Sequence, residues 1–578
     1  MKRWKVQEAD VELRKNLSKN LGISDILSHI LVNRNITTPQ ASHTFLYGTL
    51  ADLTPWQLLA DIQKAALRIR KAISNGEKIL VYGDYDVDGI SACVLLQDSL
   101  SKIGGEISYY IPNRIDEGYG LNKSVFPVAK KKNVSLIITV DCGISAFEEV
   151  KFFNKNGIDV VITDHHKPKA SILPPAVAIV CPQRADCRYP FKELSGVGVA
   201  FKLAQAVYGK DEDLFEYLDL VALGTVADVV PLVGENRILV KEGLKKISTT
   251  DKKGLRALIN VSGLKRKNIS AKNIGYVLGP RINVAGRLGS ADLAVRLLMT
   301  DDDEEARNIA GELHRNNRQR QMLQEKIFNE ALAKIDREIN FKEHRVIVLE
   351  DESWHSGVIG IVASKITREF YRPTIIISTK DSPGKGSGRS IENFHLFDAI
   401  SACRHLLLDY GGHKGACGIS ILKDKIKIFG DFINKVAHKV LKPEDLLPIL
   451  EIDAEIPFSL VETDFIKEIN QLAPFGCKNP QPVFLSRELF FKNKPVRFGK
   501  NNFKSWVTDG RVVCEAMGFG TASVLDIIGD RKFDMVYYPY LNQWDGIETI
   551  RFSLKDIRPS QQNNLAALSD VQHFTKKT

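Results

Sequence analysis

Three short apolar runs, each closed by acidic or imidazole side chains, limit what this chain can become. Ile79-Leu80-Val81-Tyr82 leads into Gly83-Asp84-Tyr85-Asp86-Val87-Asp88-Gly89. Leu136-Ile137-Ile138-Thr139-Val140 leads into Asp141-Cys142-Gly143, and Val160-Val161-Ile162-Thr163 into Asp164-His165-His166. Runs of this length, β-branched and without polar alternation, read as strands buried on both faces, the pattern of a parallel sheet covered by helices. The intervening sequence supplies helices. Ile62, Ala65, Ala66, Ile69, Ala72 and Ile73 recur at helical spacing until Asn75-Gly76, and the two patterns alternate to about Val180. Open α/β sheets bind their ligands at the carboxyl ends of the strands, where these polar residues fall.

If the first acidic segment stays extended, Asp84, Asp86 and Asp88 form one carboxylate row with steps of roughly 7 Å. Such a row repels itself unless cations lie in it, and hard oxygen ligands suit Mg²⁺ or Mn²⁺. The competing reading is a polar turn whose acids cap the next helix. Recurrence at Asp141 and at Asp164-His165-His166 favours a mixed Asp/His set with capacity for two ions, and so a metal-dependent phosphoryl-transfer site.

These residues, with Gly224-Thr225-Val226-Ala227-Asp228-Val229-Val230-Pro231-Leu232 downstream, resemble in order and spacing the four motifs of the DHH phosphoesterases. The triple-aspartate first motif and long fourth motif are similar to those of its RecJ branch, the single-strand-specific 5′→3′ DNA exonucleases. Gly411-Gly412-His413-Lys414-Gly415-Ala416-Cys417-Gly418 resembles the glycine-rich signature of the DHH-associated substrate domain. The resemblance implies that Asp84, Asp86, Asp88, Asp141, His165 and Asp228 are metal ligands, with Asp141 bridging two Mn²⁺ (or Mg²⁺) ions. It implies that His166 faces the scissile phosphate and that Asp164 orients an imidazole. Arg114, Ser387 and Arg389 match positions that hold a 5′-terminal phosphate, while Arg281, Asn283, Arg287 and His413 match positions near the substrate backbone. The activity implied is hydrolysis of single-stranded DNA to 5′-mononucleotides in DNA repair and recombination. A helicase and a single-strand-binding protein are partners the family leads one to expect, and a monomer is the expected state. Two other readings stay open: a phosphodiesterase for very short or cyclic nucleotides, and a non-catalytic scaffold.

At 578 residues the chain is too long for one core. Its pattern, read with that resemblance, implies an α/β chain in six parts: an N-terminal helical segment (1–53), a DHH parallel-sheet domain (54–245), a basic segment with a long connector helix (246–340), a second α/β DHH-associated domain (341–445), an OB-like β-barrel (446–559) and a disordered tail (560–578). The connector is expected over Asp301 to Glu338, with Asp303, Glu304 and Glu305 favouring its amino end. Gly384-Lys385-Gly386-Ser387-Gly388-Arg389-Ser390 and Gly411-Gly412-His413-Lys414-Gly415 are expected as two anion-binding loops.

The net charge of +10 concentrates in residues 241–272, where ten Lys/Arg face two acids; this is either a solvated face or a phosphate-tracking wall. In the last segment Phe475, Phe484, Phe490, Phe491, Phe498, Phe503 and Trp506 are expected to be mostly core, with one or two rings exposed for base stacking. Eight scattered cysteines without a CxxC pair read as reduced thiols. No apolar run reaches the ~20 residues of a membrane span, and the amino terminus lacks a signal-peptide pattern, so a cytoplasmic protein is expected.

Overall fold

The apolar runs are strands, and they lie side by side. The computed structural model describes residues 2–113, 117–168, 172–209, 212–265, 269–288, 290–544 and 547–560. Its first sheet comprises β1 (Lys78–Tyr82), β2 (Glu106–Tyr110), β3 (Val134–Thr139), β4 (Asp159–Thr163) and β5 (Ala178–Val180) in the order β2-β1-β3-β4-β5. All the pairings are parallel. Strand alternation sends Ile79, Val81 and Ile138 into one core and Leu80, Tyr82 and Ile137 into another. Both faces are therefore covered, which is why the runs carry no polar alternation. On the larger face lie α1 (Ile62–Ser74), α2 (Val87–Lys102), α3 (Gly196–Tyr208) and α4 (Leu218–Ala227).

A 36-residue helix, α5 (Asp303–Glu338), begins at the N-cap Asp302, whose carboxylate accepts from Glu305 N at 2.6 Å. Ile309, Ala310 and Leu313 of its amino half belong to the first core, whereas Ile327, Phe328, Ala331 and Ile335 belong to the core of a second sheet. That sheet comprises β6 (Ile347–Asp351), β7 (Thr374–Ser378), β8 (Gly384–Arg389), β9 (Asp409–His413) and β10 (Ala416–Ile421) in the order β9-β10-β8-β7-β6. Helix α6 (Ser356–Phe370) packs on the same face as α5.

Both glycine-rich segments expected as loops are strands. Gly384, Gly386 and Gly388 alternate along β8 and are buried, with Lys385, Ser387 and Arg389 on its other face. A Cβ at Gly386 would lie 2.5 Å from Ile419 Cγ1 and one at Gly388 2.8 Å from Leu396 Cδ2, so the glycines admit neighbouring apolar side chains. Gly411 and Gly412 lie in β9, which turns at Lys414-Gly415 into β10.

Contact clustering gives two units. One holds residues 49–448 and 476–478; the other holds 2–48, 449–475 and 479 onward. In the second, β11 (Phe484–Phe491), β12 (Val496–Phe498), β13 (Asn502–Thr508), β14 (Val513–Gly518), β15 (Phe533–Trp544) and β16 (Ile547–Pro559) form a sheet in the order β11-β15-β16-β14-β13-β12. Ala454–Glu455 adds a short edge strand beside β11, and an additional β11–β13 pairing curls the sheet on itself as in a small barrel. Strand Arg3–Val6 pairs in parallel with Ile449–Ile452, and Trp4 Nε1 donates to Asp556 at 2.7 Å. Phe484 and Phe503 are core, while Phe490, Phe498 and Trp506 are exposed, Trp506 by 47%.

All eight cysteines are unbridged. In the basic segment Lys245, Lys252 and Lys253 pair with Glu242, Asp219 and Asp303. Among the described residues no helix is long and apolar enough to cross a membrane. The segment expected as a disordered tail lies, beyond Ser560, outside the described residues.

Candidate metal centre

The carboxyl ends of β1, β3 and β4 bring the acidic and imidazole residues together, but not as an extended row. Helix α2 starts at Val87, directly after Asp86, so only Asp84 precedes the helical turn. Asp86 is the N-cap, accepting from Asp88 N at 2.9 Å and Gly89 N at 3.1 Å. Asp88 is wholly buried inside the first turn, where its two oxygens accept from Gly196 N (2.6 Å) and Val197 N (2.9 Å) at the start of α3. The helix-capping reading of the first motif is thus correct in part, and the row is replaced by a turn that splays the three carboxylates. Gly89 allows this turn: a Cβ there would lie 2.6–2.8 Å from backbone atoms of Asp84.

Asp141 follows β3 with φ +62°, a left-handed conformation that short polar side chains tolerate better than most. Its Oδ1 lies 3.1 Å from His165 Nε2, and that nitrogen lies 3.6 Å from Asp228 Oδ2. His165 Nδ1 is 3.1 Å from the carbonyl of Leu194, which can only accept, so in the neutral ring Nδ1 carries the proton and Nε2 presents a lone pair. Neither Asp141 Oδ1 nor His165 Nε2 has a hydrogen-bond partner among the described residues. Two buried acceptors facing each other need a proton or a metal cation between them.

Donor atoms within 4.8 Å of one another form three sets: Asp84, Asp86 and Asp141; Asp88, His165 and Asp228; and Asp141, His165 and His166. Asp141 and His165 each belong to two of them. Asp228 reaches the cluster from the C-cap of α4 rather than from a strand.

The electrostatics agree. Burial, then the neighbouring Asp88, Asp86 and Asp228, push Asp141 well above the ordinary carboxylate range. Burial and Asp88 raise Asp228 to about 8, and burial outweighs His165 and two backbone N–H groups to raise Asp88 to about 6. Burial works against the His165 imidazolium, but Asp88, Asp228 and Asp164 outweigh it and raise that group. Four or more carboxylate oxygens and one imidazole nitrogen, mutually repelling when ionised, are the donor set of a divalent hard cation.

Asp164 is different. Its Oδ1 accepts from His165 N (2.7 Å), His166 N (2.9 Å) and His166 Nδ1 (2.8 Å), and its Oδ2 from Ile144 N (2.9 Å). Burial raises it, yet these bonds, led by His166, hold it below the ordinary range. It is occupied as an acceptor and orients His166. A residue the motifs did not point to assists: Tyr119 Oη donates to the Asp141 carbonyl at 3.1 Å and lies 3.1 Å from His166 Nδ1. The motifs do not mark the start of α3 either, although Ser195 followed by Gly196-Val197-Gly198 carries an N-cap signature.

Outside the cluster, Asn283 Oδ1 accepts from Val87 N at 3.2 Å and so steadies the first acidic turn. Arg281 donates to Val277 O (2.7 Å) and to His314 Nδ1 (3.3 Å). Arg287 donates to Gly357 O at 3.3 Å. On β8, Arg389 donates to Ser387 Oγ at 3.1 Å, so these two form a unit. A Cβ at Gly360 of α6 would lie 2.9 Å from Ser387 Oγ. His413 is exposed in the β9–β10 hairpin and accepts from Gly415 N at 3.2 Å. Arg114 lies outside the described residues.

With this geometry in hand, similarity to known proteins decides the family. The "Single-stranded-DNA-specific exonuclease RecJ" of Bacillus subtilis is 37% identical over 563 residues, covering 97% of this chain and 71% of its own length. The chain belongs to the RecJ family. The Escherichia coli RecJ exonuclease is 33% identical, over 92% of this chain and 96% of that protein. Models of the DHH family N-terminal domain, the DHHA1 domain and the RecJ OB domain match residues 78–225, 343–439 and 452–556. Among solved structures, RecJ from Thermus thermophilus in complex with Mn²⁺ superimposes with a TM-score of 0.82 at 30% identity, covering 97% of this chain and 80% of that one. The fold expected from the resemblance, a DHH parallel-sheet domain joined by a long helix to a DHHA1 domain and followed by an OB domain, is the fold observed.

Proposed function

We propose that this chain is a metal-dependent 5′→3′ exonuclease that hydrolyses single-stranded DNA to 5′-mononucleotides and serves DNA repair and recombination. The observation that carries the reading is the buried donor cluster in a RecJ-family chain, with Asp141 and His165 each shared between sets. Asp84, Asp86, Asp88, Asp141, His165 and Asp228 would hold two Mn²⁺ or Mg²⁺ ions, the cations bound by the Thermus thermophilus RecJ structures. When bound, such ions acidify a water and neutralise charge at the reacting phosphate.

The chain's own residues do the rest. Leu194 O fixes the His165 tautomer that presents Nε2. Asp164 holds His166 by Nδ1, which leaves Nε2 as the ring's free edge for the scissile phosphate. Ser387 and Arg389, already joined, offer a hydroxyl and a guanidinium to a terminal 5′ phosphate, a pairing suited to a doubly charged oxyanion. Capture of that terminus sets the register of cleavage at one nucleotide. Arg281, Arg287 and His413 serve the strand beyond it.

The test is digestion of a single-stranded oligonucleotide labelled at either end, with Mn²⁺ or chelator, beside Asp141→Asn. Asparagine tolerates the left-handed backbone at 141, so the variant removes charge without adding strain. Mn²⁺-dependent release of mononucleotides from the 5′ end, absent in the variant, is expected. Release from the 3′ end, or undiminished activity in the variant, refutes the reading.

A further inference from the structure

The first turn of α3 supports Asp88 through Gly196 N and Val197 N, and about two turns further on the same helix carries a polar pair that the metal cluster does not use. Lys202 is 1% exposed and Gln205 3%. Lys202 Nζ donates to Thr54 O at 2.7 Å and pairs with Glu235 Oε2 at 2.9 Å. An ammonium has three N–H groups, so one is committed to neither oxygen. Gln205 Oε1 has no hydrogen-bond partner among the described residues. A buried amide oxygen in that state is costly, and methionine would fill the same space without the penalty.

Both side chains line a cavity of about 250 Å³, whose other walls include Leu53, Thr54, Trp56 and Phe215. Leu53, Trp56 and Phe215 are half-buried and pack on the first core, so an indole, a phenyl ring and an isobutyl group are already in place around the opening. A site built to hold water is small and polar, at about 30 Å³ per molecule, whereas this one is roomy and largely ring-walled. It lies just below the roughly 300–1,000 Å³ of pockets for drug-sized ligands, the size for a planar heterocycle.

The polar pair selects which heterocycle. Lys202 and Gln205 stand at i and i+3 on one helix face, about 5–6 Å apart at Cβ. The remaining Lys202 N–H calls for an acceptor, and Gln205 Oε1 beside it calls for an N–H. A carbonyl next to a ring N–H answers both, and that edge belongs to thymine, uracil, guanine and hypoxanthine. Cytosine and adenine present an amino group and a bare ring nitrogen instead, the wrong polarity at both places. Lys202, the one cation among the described residues of the wall, is already matched by Glu235, so the cavity suits a neutral base or nucleoside rather than a phosphate.

We propose that the cavity lined by Lys202, Gln205 and Trp56 binds a neutral nucleobase or nucleoside whose edge carries a carbonyl beside a ring N–H. Lys202 donates to the carbonyl, Gln205 Oε1 accepts from the ring N–H, and the aromatic wall covers the ring. The site shares no residue with the metal cluster, needs no ion, and goes beyond the proposed function without resting on it.

The experiment titrates the full chain, in chelator, with thymidine, N3-methylthymidine, 2′-deoxycytidine and 2′-deoxyinosine, followed by calorimetry and saturation-transfer NMR. Probes without phosphate, in the absence of metal, have little hold on the metal centre. A nucleoside with the matching edge is expected to bind with a Kd of about 0.1–1 mM, which is what a ligand of that size reaches at ordinary efficiency per atom. Binding of thymidine, of 2′-deoxyinosine or of both supports the site and tells a pyrimidine ligand from a purine one. N3-methylthymidine, which lacks the ring N–H, and 2′-deoxycytidine should bind about tenfold or more weakly than thymidine if the pyrimidine is taken. Gln205→Met should weaken the matching nucleoside by about tenfold, to the level of the methylated one, and leave the melting temperature unchanged or higher because it removes an unpaired buried amide. Trp56→Leu, which strips a ring from the wall, should weaken all the nucleosides alike. Asp141→Asn should leave binding as in the wild type.

Absence of binding by both thymidine and 2′-deoxyinosine up to about 10 mM, well above the expected range, would overturn the site. So would equal affinity for thymidine and N3-methylthymidine, wild-type affinity in Gln205→Met, or loss of binding in Asp141→Asn, which would place the nucleoside at the metal centre instead.

Discussion

Replacing Gly196 with alanine tests whether the metal cluster is held by packing rather than by the motif residues alone. A Cβ built at Gly196 would lie 2.7 Å from Asp141 Oδ1 and 2.8 Å from its Cβ and Cγ. Ordinary carbon contacts begin near about 3.5 Å, so something must move by roughly 0.7 Å. Asp141 has little room to yield, because it is buried and the residue before it donates from Val140 N to Tyr82 O at 2.9 Å. If the start of α3 yields instead, Asp88 loses the two N–H donors that hold its carboxylate. Either route shifts a donor by more than the about 0.5 Å that a preorganised site tolerates. Misplacements approaching 1 Å cost about 10²-fold in rate. Overpacking costs about 1–3 kcal/mol, offset in part by the better helix propensity of alanine.

Gly196→Ala is therefore expected to lose about 10²-fold in kcat/KM on a 5′-labelled single strand. Mn²⁺ affinity by calorimetry should fall about tenfold or more, with far-UV circular dichroism unchanged. Gly275→Ala is the control, since its Cβ would meet nothing closer than Val226 Cγ1 at 3.9 Å. A Gly196→Ala protein with wild-type Mn²⁺ affinity and activity within threefold, about 0.6 kcal/mol of transition-state stabilisation, would refute the claim that α3 positions Asp141.

Further expectations follow from the same structure. In chelator, Asp228 and Asp88, raised to about 8 and about 6, keep protons that the unfolded chain releases near its ordinary carboxylate range. The metal-free fold should thus lose stability as pH rises from about 4 to about 8, and the Mn²⁺-induced rise in melting temperature should grow over the same span. Thermal melts from pH 5 to 8.5 check both slopes, and a metal-free protein that gains stability with pH contradicts the assignment. Asp228→Asn should melt higher than wild type in chelator and lose most of its Mn²⁺ response. Lys202→Met, which strands the buried Glu235 now paired at 2.9 Å, should cost about 3–5 kcal/mol in denaturant unfolding, with Lys202→Met/Glu235→Gln recovering much of it. Gly311→Ala, inside α5 with no neighbour nearer than Arg315 Nη1 at 3.5 Å, should stabilise by about 0.5–1 kcal/mol.

The sequence by itself determined the parallel sheet, the long helix and the gathering of Asp84, Asp141 and His165 at one sheet edge. A strand buried on both faces admits only apolar residues, so the polar residues that end it stand out, and no proline or loop signal interrupts the 36 residues of the connector helix. Tertiary structure alone decided how those residues are used. Asp88 accepts from backbone groups at Gly196 and Val197, more than a hundred positions away, and no local pattern encodes such a partner. Gly384 to Arg389 has the composition of a loop and becomes a strand because Ile419 and Leu396 fill the space its glycines leave, a preference set by neighbours on other elements. Asn317 of α5 looks like any solvated helical position until two cores, built from distant segments, close over the apolar residues on either side and leave it buried, its Oδ1 without a partner among the described residues.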